Sequence, residues 1–339
     1  MIAIASLKLS QRTNRWMHIT RQIALTTITL FYLGLLGCES GSPPSQSWKY
    51  ANQGILSADI AHDGQHALVG SIHHGGSLWD TTKGERLYNW NHKQGEYTTL
   101  RAASISADGT TAATAERDTI VTWDTTTGKY KAFWKAPDVI LGLQLSADGR
   151  YALLGLRNNT ASYFDVVRGG TIYTFSHAAE IRSVGLSADG KRAITGSDDM
   201  TVKVWELAAG KEIFSYEHQN QIKTVAISAD GQLAFSTAQR EDAIIWDLKT
   251  NKQLTSLSYN YENFTSARFS EKGDQLLLGT FQGLIYLVDS KSGQELKRWH
   301  SKPKKLLGGA ASKSVLSVAF GRKGEYWGLA SDGVMGLYK

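Results

Sequence analysis

The sequence predicts an all-β chain assembled from copies of one four-stranded antiparallel unit, and three features indicate this. Short segments alternate polar and apolar residues with a period of two, as half-buried strands do. Asp-Gly pairs and similar turn signals separate these segments at short intervals. The pattern of turns and aromatic residues returns about every 40 to 45 residues, a period typical of architectures in which each unit buries its faces against its neighbours.

The clearest copy of the unit lies between residues 181 and 217. Its predicted strands are Ile181–Ser187, Arg192–Ser197, Thr201–Glu206 and Ile213–Glu217. The first turn closes at Gly190, since glycine takes positive φ without steric cost. One unit is therefore a four-stranded meander.

The glycine of the first turn locates the other copies. It falls at Gly64, Gly109, Gly149, Gly190, Gly231, Gly273 and Gly324, which gives intervals of 45, 40, 41, 41, 42 and 51 residues. An aromatic-acidic pair ends the third strand in step with these glycines. The pair reads Trp79-Asp80, Trp123-Asp124, Phe164-Asp165, Trp205-Glu206 and Trp246-Asp247, and it weakens to Val288-Asp289 and Leu337-Tyr338. We therefore expect seven copies.

The period, the four strands and the Trp-Asp ending resemble the WD-repeat β-propeller family over residues 47–339. The resemblance implies a seven-bladed β-propeller of four-stranded antiparallel blades that acts as a surface for binding other proteins. The seventh copy has sequence for only three strands. We therefore expect the segment Ser47–Tyr50 to supply the missing outer strand of the last blade, which would close the ring and leave no exposed sheet edge between its ends.

The resemblance also implies structural roles for several polar and aromatic residues. In blade 4, His177 would join Thr195 or Ser197, Asp199 and Trp205 in a buried hydrogen-bonded group. The equivalent aromatic residues Trp79, Trp123 and Trp246 are expected in the core. Other blades carry Arg117, Asn158 and Arg240 where blade 4 has Asp199, so we expect the group to be incomplete there.

The amino terminus resembles the signal peptide of bacterial lipoproteins. Arg21 precedes an apolar run that leads into Leu35-Leu36-Gly37-Cys38, which is similar to a lipobox. The resemblance implies a signal peptide over residues 1–37, with Met17 as an alternative start, lipid attachment at Cys38 and a flexible tether over residues 38–46. Glu39 after the cysteine implies the outer membrane, with the protein facing the periplasm. Cys38 is the single cysteine, so the chain forms no intramolecular disulfide.

The basic net charge does not indicate a nucleic-acid-binding protein. The formal net charge is +6, but residues 1–37 contain four of the 37 basic residues and no acidic residue. The remaining chain has 33 basic and 31 acidic residues. That balance offers no general case for binding a polyanion.

Candidate partner-binding residues lie at predicted inner-strand starts and in long loops. Arg101, Arg182 and Lys223 share the second position of the first strand and would form a basic rim for an acidic partner. The loop candidates are Tyr259, Tyr261, Lys302, Lys304 and Lys305. These residues make the face that carries the inter-blade loops one candidate binding surface, with the central channel as the other.

Two classes of function fit this architecture. We favour a non-catalytic platform for protein partners, anchored by lipid on the periplasmic side of the outer membrane. A role in envelope assembly follows only by analogy with the propeller lipoprotein of the outer-membrane protein assembly machine. The alternative is a periplasmic enzyme or small-ligand binder that uses the central channel, where carboxylates or histidines would have to converge. The first strands bring mainly Asp59, Arg101, Arg182, Lys223 and Arg268, a poor set for divalent-metal chemistry.

The sequence favours the platform because it lacks the spacings of known catalytic motifs. The histidine-rich stretch holds His62, His66, His73 and His74, but His62 and His73 would lie at opposite ends of a strand of about 17 Å. Ligands of one ion must converge much more closely. We therefore predict no metal and no cofactor.

Overall fold

The structure is a computed structural model that describes residues 41–72, 74–92, 98–259, 262–301 and 313–339. These residues form seven antiparallel sheets of four strands each. The first strand of the chain, β1 (Gln46–Lys49), belongs to the last sheet. No helix in the described ranges is long and apolar enough to span a bilayer.

The first four blades follow one another along the chain. Blade 1 consists of β2 (Ile55–Ile60), β3 (His66–Ser71), β4 (Gly76–Asp80) and β5 (Glu85–Trp90). Blade 2 consists of β6 (Ala102–Ile105), β7 (Thr111–Glu116), β8 (Thr119–Asp124) and β9 (Tyr130–Lys135). Blade 3 consists of β10 (Ile140–Leu145), β11 (Tyr151–Leu156), β12 (Thr160–Asp165) and β13 (Thr171–Ser176). Blade 4 consists of β14 (Ile181–Leu186), β15 (Arg192–Ser197), β16 (Thr201–Glu206) and β17 (Lys211–Glu217).

The last three blades complete the ring. Blade 5 consists of β18 (Ile222–Ile227), β19 (Leu233–Ala238), β20 (Ala243–Asp247) and β21 (Lys252–Leu257). Blade 6 consists of β22 (Phe264–Phe269), β23 (Gln275–Thr280), β24 (Leu284–Asp289) and β25 (Glu295–His300). Blade 7 combines β26 (Val315–Phe320), β27 (Tyr326–Ala330) and β28 (Val334–Tyr338) with β1, and a short 3-10 helix (Arg322–Gly324) follows β26.

The first strand of every blade lies innermost, and these strands contact one another around a central channel. The contacts include β2 with β26, so the last blade meets the first. The outer strand β1 pairs antiparallel with β28, with Gln46 opposite Leu337 and Lys49 opposite Val334. The predicted seven-bladed propeller and its closure by the N-terminal strand are therefore confirmed.

The segment before β1 is bonded to the ring rather than free. Ser42 donates its N–H to the Arg298 carbonyl at 3.2 Å and accepts the N–H of His300 at 3.0 Å. Ser45 donates its N–H to the Leu337 carbonyl at 2.7 Å. Ser42 and Ser45, which belong to the expected tether, thus occupy backbone positions at the border of blades 6 and 7. Cys38 and the expected signal peptide, residues 1–37, lie outside the described residues.

Antiparallel meanders give the ring two different faces. We call the face where the inner strands begin the loop face; it carries the connections between blades and the turns between second and third strands. The opposite side, the turn face, carries the other two turns of each blade. In the first turn of blade 4, the Ser187 hydroxyl donates to Asp189 Oδ1 at 2.6 Å, and Gly190 has φ of 70°. The predicted turn glycine is therefore required by a left-handed backbone.

The core lies mainly between blades, where an aromatic ring in or just after the outer strand packs on the third strand of the next blade; blade 5 has Leu257 in that place. Four of these pairs are stacked. Their ring centroids are 4.4 Å apart for Tyr50 and Trp79, 5.2 Å for Trp90 and Trp123, 4.5 Å for Phe175 and Trp205, and 4.0 Å for Tyr216 and Trp246. Stacked aromatic pairs add to the free energy of burial, so these contacts hold neighbouring blades together.

Candidate functional site

A ring of residues that are skipped in the strand pairing surrounds the channel mouth on the loop face. In six blades the pairing of the first and second strands skips one residue, which is the signature of a β-bulge. The skipped residues are Leu56, Leu141, Arg182, Lys223, Thr265 and Leu316. In blade 2 the corresponding place is taken by Arg101, which directly precedes β6. We call these seven residues the bulge ring.

The bulge ring combines apolar and basic side chains. Three of its members are leucines, and Leu56 is 47% exposed although it is apolar. Arg101 and Arg182 are exposed, and Lys223 is half-buried. A β-bulge turns a side chain out of the regular alternation and is found next to functional sites. The ring can therefore offer both apolar contact and positive charge to one ligand.

Of the three predicted basic residues, Arg182 and Lys223 already make side-chain contacts within the protein. The Arg182 guanidinium donates to Asp198 Oδ2 at 2.7 Å and also pairs with the Glu180 carboxylate. The hydrogen bond to Asp198 raises the pKa of Arg182 above its usual value. Because two carboxylates neutralise it, Arg182 does not supply the free charge that the sequence suggested. Lys223 donates to the side-chain oxygen of Gln221 at 3.2 Å.

The loop candidates divide into one packed residue and several residues beyond the described ranges. Tyr259 packs 4.5 Å from Tyr286 and edge-on to Phe264 at 6.0 Å, between ring centroids. Burial raises its pKa. Tyr259 therefore packs against the core of blade 6, which has Val288 where four other blades have tryptophan. Tyr261, Lys302, Lys304 and Lys305 lie outside the described residues.

The predicted structural group of blade 4 is brought together. His177 Nε2 lies 2.8 Å from the Thr195 hydroxyl, and His177 Nδ1 lies 3.0 Å from Asp199 Oδ2. The Trp205 indole donates to the same Thr195 hydroxyl at 2.9 Å. Ser197 instead donates to the Ala179 carbonyl at 3.0 Å. The histidine side chain is fully buried, so the group joins strands of blade 4 and faces no open site.

The pKa values in this group favour a neutral histidine beside an ionised aspartate. Burial lowers the pKa of His177, against the opposing effect of Asp199. Burial alone would raise the pKa of Asp199, but hydrogen bonds from Thr201 and from the backbone of Ala178 lower it to about 2. A neutral, buried imidazole with both nitrogens engaged has no free position for a substrate.

Two further blades form the group around His218 and His92, which match His177 in the repeat, with partners that sequence reasoning missed. In blade 5, His218 contacts Glu241 at 3.1 Å and the Ser236 hydroxyl at 2.8 Å, so Glu241 replaces the aspartate from a neighbouring position. In blade 2, His92 contacts the hydroxyls of Thr119 at 3.1 Å and Thr114 at 2.9 Å. The predicted incompleteness at Arg117 and Arg240 was therefore compensated nearby. A search for any acceptor within one turn would have found both.

The other predicted tryptophans occupy equivalent places. The Trp123 indole donates to Thr114 at 2.9 Å, and the Trp246 indole donates to Ser236 at 2.8 Å. In blade 1 the Trp79 indole donates to Ser77 at 2.8 Å. All three third-strand tryptophans therefore use their N–H groups inside the blades.

An ion pair crosses the central channel. Arg268 of blade 6 lies 2.6 Å from Asp59 of blade 1 and also donates to the Ile60 carbonyl at 2.6 Å. Asp59 Oδ2 accepts the N–H of Ile105 in blade 2 at 2.8 Å. The pair therefore spans the place where the ring closes and links three blades.

Other polar groups of the channel wall are used in the same way. Ser104, Gln144 and Ser183 accept the backbone N–H groups of Leu145, Leu186 and Val225 in the next blade, at 3.0, 3.1 and 2.9 Å. The channel encloses about 670 Å³. Its polar side chains bind neighbouring inner strands, so they do not converge on a ligand in the way that a catalytic site requires.

No group of three or more His, Cys, Asp or Glu side chains within the described ranges is arranged to hold a metal ion. Two of the charged residues considered for channel chemistry, Asp59 and Arg268, neutralise each other. Arg101, Arg182 and Lys223 belong to the bulge ring at the mouth.

Comparison with known proteins agrees with this architecture. Residues 169–206 match the family model described as WD domain, G-beta repeat. The matched segment ends at Glu206, so it covers the outer strand of blade 3 and the first three strands of blade 4. No curated protein matches the chain. The protein is a seven-bladed propeller that contains a WD40 repeat, and such propellers are commonly scaffolds for protein interactions.

Proposed function

We propose that the protein is a non-catalytic interaction scaffold that binds a protein partner through its loop face. The observation that carries this proposal is the bulge ring, which places exposed Leu56 and basic Arg101 on one rigid rim. Apolar anchors flanked by charge are typical of the centre and margin of protein interfaces. The inner strands support the rim because they are bonded to one another across the blades.

We further propose that the scaffold is attached to a membrane by lipid at Cys38 and faces the periplasm from the outer membrane. The support is the lipobox-like sequence before Cys38 and the single cysteine. Several acyl chains on one residue give stable attachment, whereas one chain gives only marginal binding. A role in envelope assembly remains part of this proposal.

The loop-face proposal is tested by photo-crosslinking in intact cells. A photoreactive amino acid replaces Leu56 on the loop face, and the control places it at Lys83, an exposed residue on the turn face of blade 1. We expect specific capture of a protein from position 56 and not from position 83. Equal capture from both positions, or none from position 56, would contradict binding through the bulge ring.

The membrane proposal is tested by Cys38→Ala. We expect the variant to lose fatty-acid labelling and to move from the membrane fraction to the soluble fraction, because no acyl chain can be attached. Cys38→Ser serves as the isosteric control and should behave alike. A variant that stays in the membrane would exclude Cys38 as the anchor.

The channel alternative receives less support. A ligand there would have to compete with the bonds among Asp59, Arg268 and the neighbouring backbone groups. Buried polar groups that already have partners gain little from a new one.

A further inference from the structure

The seams between blades are closed on the turn face by tyrosines in two places. The Tyr88 hydroxyl of blade 1 donates to the Thr126 carbonyl of blade 2 at 2.5 Å. The Tyr173 hydroxyl of blade 3 donates to the Ala208 carbonyl of blade 4 at 3.3 Å. Each accepting carbonyl lies two residues after the acidic residue that ends the third strand. These seams show what fits the space between two blades.

The seam between blades 4 and 5 has phenylalanine at the same position. Phe214 pairs with Val204 as Tyr173 pairs with Tyr163 in the preceding blade. The equivalent carbonyl in blade 5 belongs to Lys249, two residues after Asp247. Phe214 has no hydroxyl that could donate to this carbonyl.

The turn opposite Phe214 also differs. In the closed seam, the Tyr173 ring rests on Gly210, where an added Cβ would lie 2.4 Å from the ring atom Cδ1. Blade 5 has Asn251 at that place, with φ of 56°. Asn251 carries the Cβ that the closed seam excludes, so Phe214 cannot lie on the turn as Tyr173 does. The Asn251 side-chain oxygen accepts a hydrogen bond from the Tyr216 hydroxyl at 2.9 Å.

A groove of about 440 Å³ results at this seam, and we call it the seam groove. Its lining includes Phe214, Leu248, Lys249, Asp189 and Asp230. This volume lies within the range of about 300 to 1,000 Å³ that is usual for ligand pockets. The groove therefore has room for a side chain from outside the protein.

The polar groups of the groove favour a hydrogen-bond donor. Asp189 and Asp230 each use Oδ1 to accept a serine hydroxyl of their own turn at 2.6 Å. Asp189 Oδ2 pairs with Lys191 Nζ at 3.4 Å, which leaves Asp230 Oδ2 as the carboxylate oxygen that can accept from a ligand. Arg192 Nη1 donates to the Gly231 carbonyl at 2.6 Å, which holds this side chain in the wall of the groove.

We propose that the seam groove binds a tyrosine side chain presented by a partner protein. The inference rests on the proposed scaffold function and names a second contact for it, on the turn face. The ring would contact Phe214 and Leu248, and the phenol would donate to the Lys249 carbonyl or the Asp230 carboxylate. The protein's own Tyr88 and Tyr173 provide the template, since each fills an equivalent seam. Tyrosine joins an apolar ring to a polar tip, which suits this lining.

The probe for this site is N-acetyl-tyrosine amide, titrated into the full chain while the Leu248 methyl resonances are followed by NMR. We expect saturable shifts at Leu248. N-acetyl-phenylalanine amide should bind about 3- to 10-fold more weakly, the effect of one net hydrogen bond. N-acetyl-alanine amide should cause no saturable shift. Absence of a saturable shift with the tyrosine probe up to about 20 mM would overturn the proposal.

The matched variants exchange the two kinds of seam. Phe214→Tyr with Asn251→Gly rebuilds the closed arrangement and should abolish the Leu248 shifts while the melting temperature stays the same or rises. Tyr173→Phe with Gly210→Asn should create new shifts at Leu207. Gln232→Trp, at an exposed position on the groove, blocks it without altering the blade interior and should also abolish binding. Shifts that persist in a folded, closed variant would overturn the proposal.

The outcome is separable from that of the proposed function. Crosslinking from position 56 tests the loop face, whereas the tyrosine probe tests the turn face. Capture at position 56 without probe binding would contradict only the proposal that the seam groove binds tyrosine. Probe binding without capture at position 56 would support the tyrosine site in the seam groove and contradict the loop face as the interaction surface.

Discussion

Single hydroxyl groups inside the blades each form hydrogen bonds with two buried side chains. The Thr195 hydroxyl serves both the His177 imidazole and the Trp205 indole, and Ser236 serves His218 and Trp246 in the same way. One oxygen thus satisfies two buried polar groups. Losing it leaves both without a partner, and an unpaired buried donor costs about 1–3 kcal/mol.

We expect Thr195→Val to lower the free energy of unfolding by about 2–4 kcal/mol, because the isosteric valine keeps the packing but removes the shared oxygen. Urea unfolding measures the change. The control is Thr237→Val, since the buried Thr237 hydroxyl makes only a 3.5 Å contact with the Ala238 carbonyl. Equal losses in the two variants would contradict the shared role of Thr195.

The buried histidines should make stability depend on pH. Burial lowers the pKa of His92 to about 4 and also lowers those of His177 and His218. The unfolded chain binds a proton near pH 6.5, which the folded state rejects until about pH 4. The free energy of unfolding should therefore fall as the pH drops through this window, by up to about 3 kcal/mol from His92.

This pH dependence is measured by chemical unfolding at intervals from pH 7 to pH 4. His92→Gln cannot take up the proton and should show a shallower fall than the wild type. Asp199, whose pKa is lowered to about 2, starts to lose its stabilising effect near pH 5, but this loss is the same in the wild type and in His92→Gln, so the difference between the two reports on His92. A wild-type stability that is flat from pH 7 to pH 4 would be incompatible with neutral buried histidines.

Among the elements, β1 is short but joins the first blade to the last. It has only four residues, yet it completes blade 7 and leads into Tyr50, which stacks on Trp79 of blade 1. Trp48 also contacts blade 1, since an added Cβ on Gly84 would lie 2.2 Å from its ring. The strand therefore joins the two ends of the chain.

Deletion of residues 41–50 should lower the free energy of unfolding by at least about 5 kcal/mol, because two large aromatic side chains lose their packing. Thermal unfolding provides the measurement. The control deletion removes residues 41–44 and leaves β1 in place, so it should cost much less. If both deletions have the same small effect, β1 does not close the ring.

The turns after the third strands differ between blades. Gly210 and Asn251 occupy equivalent places and both have a left-handed backbone, with φ of 64° and 56°. The structure adds a second requirement, since Tyr173 and Tyr88 rest on Gly210 and Gly128. Asn251 meets the first requirement but not the second, which opens the seam groove. Only the packing of one blade on the next reveals that difference.

At the scale of the whole molecule, contacts at the outer rim and contacts at the central channel both close the ring. On the outside, β1 joins blade 7. On the inside, the Arg268 guanidinium of blade 6 pairs with Asp59 of blade 1 across blade 7. Both side chains are more than four-fifths buried, with exposures of 18% and 14%, so their interaction is less screened than that of a surface pair.

A double-mutant cycle of Arg268→Met and Asp59→Asn should give a coupling energy of about 1–3 kcal/mol. Asparagine keeps an acceptor for the Ile105 N–H, so the cycle isolates the ion pair. Urea unfolding of the four proteins supplies the values. The exposed pair of Lys135 and Asp118, with an N–O distance of 3.4 Å, serves as the control and should show a coupling below about 1 kcal/mol. A negligible coupling between Arg268 and Asp59 would refute the inner closure.

The period of the sequence determined the number of blades, their strands and the strand that closes the ring. It could do so because strand alternation and turn glycines are local requirements that each copy repeats. The tertiary structure alone decided that Glu241 replaces an aspartate, that Arg182 is neutralised, that Tyr259 packs against the core of blade 6, and that one seam stays open. These outcomes depend on contacts between residues far apart in the chain, and the distance between two such side chains is set only when the blades pack together.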